Sequence, residues 1–193
     1  MHGQTAQTDR ALVAAALADG RAYAAIVQRF EATLTRYVRR LLGRHGQSAG
    51  DVMQEVFIKA YVNLNDFDQE RPFSPWIYRI AHNEAIGFLR KRKAEPQVID
   101  GEDGQMILER ISSGGDFAEA ARIGDLEADA RSAMAGLEPR YRDVLVLRYL
   151  EDKSYDEISD ILHMPPGTVA TRLQRGLKQL RAALGATSGS ARA

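Results

Sequence analysis

The chain has 193 residues and a formal net charge of zero, with 26 basic and 26 acidic side chains. This balance excludes a uniformly basic protein that coats nucleic acid. The absence of cysteine excludes disulfides and thiolate metal sites and fits a reducing compartment. The apolar runs are too short to span a bilayer, and the first ten residues lack the apolar core of a secretory signal. We therefore expect a cytoplasmic protein without membrane insertion.

The N-terminal half is predicted to be helical, because helical periodicity dominates and no convincing strand alternation occurs. Gly20 separates the first two helices, and residues 45–48 form a loop. Residues 65–73 form a polar loop, after which Ser74 can cap the next helix and Pro75 suits its first position. In chain order, these predicted helices span residues 9–18, 22–42, 51–64 and 75 to about 93.

Charge is segregated along the chain. Residues 71–93 carry six basic side chains against one acidic, whereas residues 95–129 carry ten acidic against two basic, which suggests separate surfaces with different partners. Further helices are predicted at residues 106–111, 126–135, 140–150, 154–162 and 168–184. The expected fold is all-α, with two small helical domains at residues 1–93 and 125–184, an acidic flexible linker at residues 94–124 and a frayed tail at residues 185–193.

The segment at residues 154–184 has the pattern of a helix-turn-helix. Ser154 and Glu157 have the spacing of a capping box, and Pro165 and Pro166 end the first helix. A second helix with an apolar back and a basic front suits the major groove of DNA, while a plain helix hairpin with a solvated face is the alternative. The apolar stripe consists of Val169, Leu173, Leu177, Leu180 and Leu184, and the opposite face carries Thr171, Arg175 and Lys178, flanked by Arg172 and Gln174.

The third predicted helix combines acidic, amide and apolar side chains on one face. Ile58 and Val62 fall among Asp51, Gln54 and Glu55, opposite a stripe of predicted core residues. Exposed apolar clusters rimmed by polar groups mark interaction sites, but single exposed apolar residues are also common. Spacing alone therefore leaves a protein-binding face and chance exposure both open.

The fourth predicted helix carries a polar strip. Arg79, Asn83 and Arg90 lie within about 40° of one another on a helical wheel, with Trp76 at the edge and a basic run at residues 90–93. Arginine and lysine can contact phosphates, while asparagine and an aromatic ring can hydrogen-bond and stack with a base. The alternatives are that the basic run complements the helix dipole and that the tryptophan belongs to the core.

No pattern of a catalytic or metal site is visible. The four histidines lack metal-ligand spacing, and no nucleophile–base pair can be recognised. We therefore expect no catalytic residues, no metal, no cofactor and no enzymatic activity.

Three blocks of the chain together resemble the extracytoplasmic-function sigma factors of bacterial RNA polymerase, within the sigma-70 family. Residues 51–57 resemble the D-x-x-Q-E-x-F helix of that family. Residues 73–83 resemble its F-x-x-W-L-Y-R-I-A-x-N helix. Parts of the second domain of the family are similar to residues 137–139, 144–145, 154–158, 167–169 and 172–173.

The resemblance implies a dissociable polymerase subunit that recognises the −35 and −10 promoter elements and promotes strand opening. The implied partners are core RNA polymerase, promoter DNA and an anti-sigma factor. The resemblance assigns core-polymerase binding to Asp51, Gln54, Glu55 and Ile58. It assigns −10 binding to Asn65, Asp66, Phe67, Trp76, Arg79, Asn83, Arg90, Arg92 and Lys93. It assigns −35 binding to Thr168, Thr171, Arg172, Gln174, Arg175 and Lys178.

The chain departs from the family pattern at several positions. Ala170 stands where the family usually has a basic residue, which predicts weaker or different −35 discrimination. Ser159 replaces the usual alanine, and Gly87 in mid-helix is expected to cost up to about 1 kcal/mol relative to alanine. The alternative function is a stand-alone helix-turn-helix regulator, which would bind duplex DNA without polymerase.

Overall fold

The computed structural model describes residues 2–91 and 136–190. Their secondary structure is helical and contains no strand, which confirms the all-α class. The acidic linker at residues 94–124, the helices predicted at 106–111 and 126–135, and Arg92 and Lys93 lie outside the described residues. The α-helices of the described residues are α1 (His2–Ala18), α2 (Tyr23–Leu42), α3 (Ala49–Val62), α4 (Phe73–Lys91), α5 (Pro139–Tyr149), α6 (Tyr155–Leu162) and α7 (Pro166–Ser190).

The chain divides into two compact units, one formed by residues 1–94 and the other by most of the remainder. In the N-terminal unit α2 is the central helix, and it contacts α1, α3 and α4. Its apolar side chains recur every three or four residues and so form one face, on which Ile26, Leu34 and Leu42 are fully buried. Full burial of side chains of this size contributes roughly 1.5–3 kcal/mol each, so this face holds the unit together.

Aromatic pairs join α2 to the beginning of α4. The ring of Phe30 meets that of Phe73 edge-on, with 5.5 Å between centroids. One helical turn further along α4, the rings of Tyr37 and Tyr78 lie 5.2 Å apart. Such pairs contribute roughly 0.5–1.5 kcal/mol beyond the area they bury. They fix where α4 begins and which of its faces is left for solvent.

The helices α1 and α7 are longer than their periodicity predicts. α1 begins at His2 rather than near residue 9, and α7 continues to Ser190 rather than giving way to an irregular tail at residue 185. Extending an existing helix adds one hydrogen bond for each residue ordered, whereas starting one is costly. Neither extension contains proline, so the chain offers no barrier to this propagation.

The C-terminal unit is built on close packing between α5 and α7. Gly176 of α7 is buried, and a β-carbon placed there would lie 3.3 Å from Cδ1 of Leu145 and 3.3 Å from Cβ of Tyr141. The predicted stripe of α7 is confirmed at Val169, Leu173 and Leu180, all of which are buried. The predicted basic front of α7 is consequently on the side turned away from α5.

Candidate nucleic-acid and protein interfaces

The outer face of α3 is exposed and partly apolar. The side chains of Ile58 and Val62 are 56% and 67% exposed, beside the exposed Gln54 and Glu55. Asp51 is also exposed, one turn before Glu55. The predicted arrangement of these residues on one solvent-facing surface is confirmed.

Tyr61 extends this surface and was missed in the sequence. Its side chain is 51% exposed, and its ring meets that of Tyr23 edge-on at a centroid distance of 5.0 Å. A β-carbon at Gly20 would lie 2.9 Å from the Tyr61 hydroxyl oxygen, so glycine leaves the space that the hydroxyl occupies. Tyr61 follows Ile58 by three residues, and this spacing already placed it on the same helical face.

The loop before α4 does not present all the predicted side chains to solvent. Asn65 and Asp66 are exposed, but Phe67 is only 8% exposed. The Phe67 ring lies 5.2 Å from the ring of Phe73 and 5.2 Å from that of Trp76, measured between centroids. The structure therefore places Phe67 beneath the surface, where it supports Trp76.

The polar strip of α4 is present on its outer side. Trp76 and Arg79 are half-buried, whereas Asn83 and Arg90 are exposed. Trp76 also stacks at 5.3 Å on Phe73, so its indole is held in one orientation. A half-buried and immobilised ring loses little conformational entropy when a base stacks on it.

Beside this strip lies a histidine that is half-buried. The Tyr37 hydroxyl and Nδ1 of His82 are 3.0 Å apart, and Tyr37 is fully buried. Burial lowers the pKa of His82 to about 4, because the imidazolium would have to give up its hydration. His82 is thus neutral at physiological pH and belongs to the support of α4 rather than to a charged surface.

The basic front of α7 is also present. Thr171, Gln174, Arg175 and Lys178 are exposed, and Thr168 is half-buried. The Thr171 hydroxyl donates a hydrogen bond of 2.9 Å to the carbonyl oxygen of Gly167, one turn earlier. This bond uses the hydroxyl proton and leaves the lone pairs of the hydroxyl oxygen as acceptors.

Arg172 has a structural neighbour that the sequence did not reveal. It is half-buried, and its charge acts on the buried carboxylate of Asp143 in α5, together with that of Arg142. Burial raises the pKa of Asp143 to about 7, and the two arginines oppose this rise. The Arg142 guanidinium also donates a hydrogen bond of 2.9 Å to the carbonyl oxygen of Leu137. Arg172 therefore faces the electrostatic surroundings of Asp143 as well as lying on the predicted DNA face.

Side chains close both ends of α6. At its N-terminus the predicted capping box is confirmed: Ser154 Oγ accepts from the N–H of Glu157 at 3.2 Å, and the Glu157 carboxylate accepts from the N–H of Ser154 at 2.8 Å. α6 ends at His163, which adopts the left-handed conformation with φ 51°. The Ser159 hydroxyl then donates to the carbonyl oxygen of Met164 at 2.5 Å, a bond that alanine could not make.

In the part of the chain that the structure describes, no group of histidine and carboxylate side chains is arranged to hold a metal ion. In the same residues, no helix is long and apolar enough to cross a membrane.

The fold and its surfaces define an all-α transcription protein with a helix-turn-helix unit and a second helical unit. Residues 26–95 match the sigma-70 region 2 family, and residues 128–180 match the sigma-70 region 4 family. The chain is 37% identical to the ECF RNA polymerase sigma factor SigW of Bacillus subtilis, over 84% of this chain and 89% of SigW. The chain belongs to the extracytoplasmic-function sigma factors of the sigma-70 family and is an RNA polymerase sigma factor.

Other comparisons agree with this assignment. The chain is 31% identical to the ECF RNA polymerase sigma-E factor of Escherichia coli K12, over 81% of this chain and 83% of that protein. Among solved structures it is similar to CnrH in complex with the cytosolic domain of CnrY, with a TM-score of 0.66 and 27% identity over 92% of this chain and 97% of CnrH. These relatives are regulatory proteins, and they do not favour the stand-alone regulator.

Proposed function

We propose that the sigma factor divides its work among three surfaces: α3 binds core polymerase, the 65–73 loop with α4 captures the −10 strand, and α7 reads the −35 duplex. Residues 1–93 then form the first functional domain and residues 125–184 the second, with the acidic linker between them. The observation that carries the proposal is the exposure of Ile58 and Val62 beside Gln54 and Glu55. Water contacts these apolar side chains in the free protein, and a protein partner would remove them from water.

The −10 surface combines a rigid aromatic ring with polar and basic groups. Extruding a base from a duplex costs a few kcal/mol, and stacking returns about 1–3 kcal/mol per base. Trp76 supplies the ring, and Asn83 supplies an amide for base or backbone hydrogen bonds. Arg79 and Arg90, continued by Arg92 and Lys93, supply phosphate contacts.

The −35 surface is the exposed front of α7. Gln174 and Arg175 are long enough to reach base edges in the major groove, and Lys178 suits a phosphate. Thr168, Thr171 and Arg172 complete this face at its N-terminal end. Ala170 offers no basic side chain there, so we expect a −35 preference that differs from the family's usual one.

A protein that masks these surfaces would keep the factor inactive. CnrH is bound by the cytosolic domain of CnrY. We propose that an anti-sigma factor covers the α3 face and the α7 front of this chain. The factor itself would act in the cytoplasm, without a cofactor and without enzymatic activity, since polymerase performs the chemistry.

The decisive experiment is run-off transcription with bacterial core polymerase over a genomic promoter pool. Adding the purified chain should produce discrete start sites that core polymerase alone does not produce. Failure with every core enzyme, together with tight footprints of the chain alone on linear duplex DNA, would instead identify a stand-alone regulator.

A further inference from the structure

The loop that precedes α4, residues 67–72, belongs to no helix, and both side-chain and backbone contacts shape it. The buried ring of Phe67 anchors its first residue. Asp68 folds its tip: Oδ1 accepts a hydrogen bond of 3.0 Å from the N–H of Glu70, and the carbonyl oxygen accepts one of 3.0 Å from the N–H of Arg71. An aspartate-centred turn of this kind sets the direction in which the next side chains leave the backbone.

α1 adds an ionic contact to this tip. Nη2 of Arg10 lies 2.5 Å from Oε1 of Glu70, although the two residues are 60 positions apart in the chain. α1 is itself anchored on either side of Arg10. Asp9 is buried and pairs with Arg29 at 3.2 Å, and Val13 is buried in the core. Arg10 thus reaches from a fixed helix to an irregular loop.

A cleft of about 450 Å³ opens between α1 and the loop. Arg10 and Val13 line it from α1, and residues 69–72 line it from the loop. Along this cleft the loop is not closely packed against α1. The ion pair of Arg10 and Glu70 bridges α1 and the loop tip beside this cleft.

We propose that the Arg10–Glu70 pair positions the loop for capture of the −10 strand, so that α1 takes part in promoter recognition. The inference rests on the proposed function, since it requires that Asp66 and Trp76 meet the strand. Arg10 and Glu70 are positioning residues and touch no DNA. Pairing also offsets the repulsion that the Glu70 carboxylate would exert on nearby phosphates.

The expected effect is on recognition rather than on folding. Both side chains are largely exposed, and exposed ion pairs contribute little to the free energy of unfolding. A variant that loses the pair should therefore remain folded and bind polymerase while its loop samples other positions.

The test uses holoenzyme assembled from core polymerase and the full chain. Two labelled non-template oligonucleotides are compared, one carrying the −10 sequence of a promoter found by run-off transcription and one carrying that sequence scrambled. The measured quantity is the ratio of the two affinities. Arg10→Glu and Glu70→Arg should each lower this ratio about threefold, and the double charge swap should restore it to within about twofold.

Arg36→Glu, on the exposed side of α2, is the matched control and should leave the ratio unchanged. If Arg10 bound phosphate directly, Arg10→Glu would weaken both oligonucleotides alike and the swap would restore neither, which overturns the proposal. Unchanged ratios in both single variants also overturn it. A wild-type holoenzyme that cannot distinguish the two oligonucleotides would contradict the proposed function itself.

Discussion

Ile58 carries the strongest single-residue argument for a polymerase-binding face. More than half of its surface contacts water in the free protein, and burying apolar surface releases roughly 25 cal/mol per Å². Gln54 and Glu55 lie on the same face and can provide the hydrogen bonds that orient a partner. Apolar contact and polar rim are the two components of a specific protein interface.

Replacing Gln54, Glu55 and Ile58 together by alanine should weaken binding to core polymerase by about tenfold or more, because apolar contact and oriented hydrogen bonds are lost at once. The affinity can be measured by competition against the wild-type factor. The control carries Gln28→Ala with Glu31→Ala, a matched amide and acid exposed on α2. Thermal melting should show both variants folded, and wild-type affinity in the triple variant would remove the interface from α3.

The positions on α3 that could be predicted from the sequence depend on local periodicity, whereas the nearby positions that were missed depend on contacts between distant residues. Ile58 and Val62 could be assigned to solvent because the angle of 100° per residue places them opposite the core stripe. Burial of Phe67 depends instead on rings that α4 brings to it, and no local pattern encodes that meeting. Contacts between distant residues, such as Arg10 with Glu70, are likewise set by helix packing.

At the scale of the element, the position of α7 depends on its closest approach to α5. Gly176→Val should lower the stability of the C-terminal unit by roughly 1–3 kcal/mol, since the added carbons meet Leu145 and the rigid Cβ of Tyr141. Gly87→Ala in α4 is the contrasting variant, because a β-carbon there meets nothing within 4 Å. It should gain roughly 0.5–1 kcal/mol from reduced backbone freedom in the unfolded chain. Urea titration measures the free energy of unfolding of both variants. An equal loss of stability in the two variants would contradict the packing described for Gly176.

The front of α7 should matter for recognition of duplex DNA and not for melted DNA. Arg175→Ala should weaken promoter binding about tenfold on a duplex template, because one good base contact is worth roughly 1–3 kcal/mol. Transcription from a template that is already melted at the −10 element and lacks the −35 element should be unchanged. Arg172→Ala is the informative comparison: it removes a charge beside the buried Asp143 and should also lower the stability of the unit. An equal loss from Arg175→Ala on both templates would argue against the role of α7.

The helix-turn-helix was largely predictable because its signals are local. The capping box of Ser154 and Glu157 lies within four residues, and both bonds are formed. The coupling of Arg172 to Asp143 was not predictable, because it joins two helices separated by α6. The sequence therefore assigned Arg172 to DNA alone, whereas in the structure its charge also acts on the Asp143 carboxylate.

At the scale of the whole molecule, we expect His82 and Asp143 to make the two units respond to acid in opposite directions. His82 in the N-terminal unit has its pKa lowered from 6.5 to about 4 by burial, so the unfolded state binds the proton more readily between these values. The contribution of His82 to the stability of the N-terminal unit should therefore be complete above pH 6.5, and up to about 3 kcal/mol of it should be lost as the pH falls toward 4. Asp143 in the C-terminal unit has its pKa raised from 3.8 to about 7. That unit gains stability over the same fall in pH, since its folded state binds the proton more readily.

This opposition can be measured with the single tryptophan of the chain, Trp76, which reports on the N-terminal unit. Between about pH 7.5 and pH 5, the urea midpoint followed by Trp76 fluorescence should fall, while the midpoint of the part of the circular dichroism transition that Trp76 does not report should rise. His82→Phe should remove the first shift and leave the second, and Asp143→Asn should do the reverse. A fluorescence midpoint that does not move with pH would show that His82 is hydrated in the folded protein. The contact of His82 with Tyr37 would then not hold α4 in the position described here.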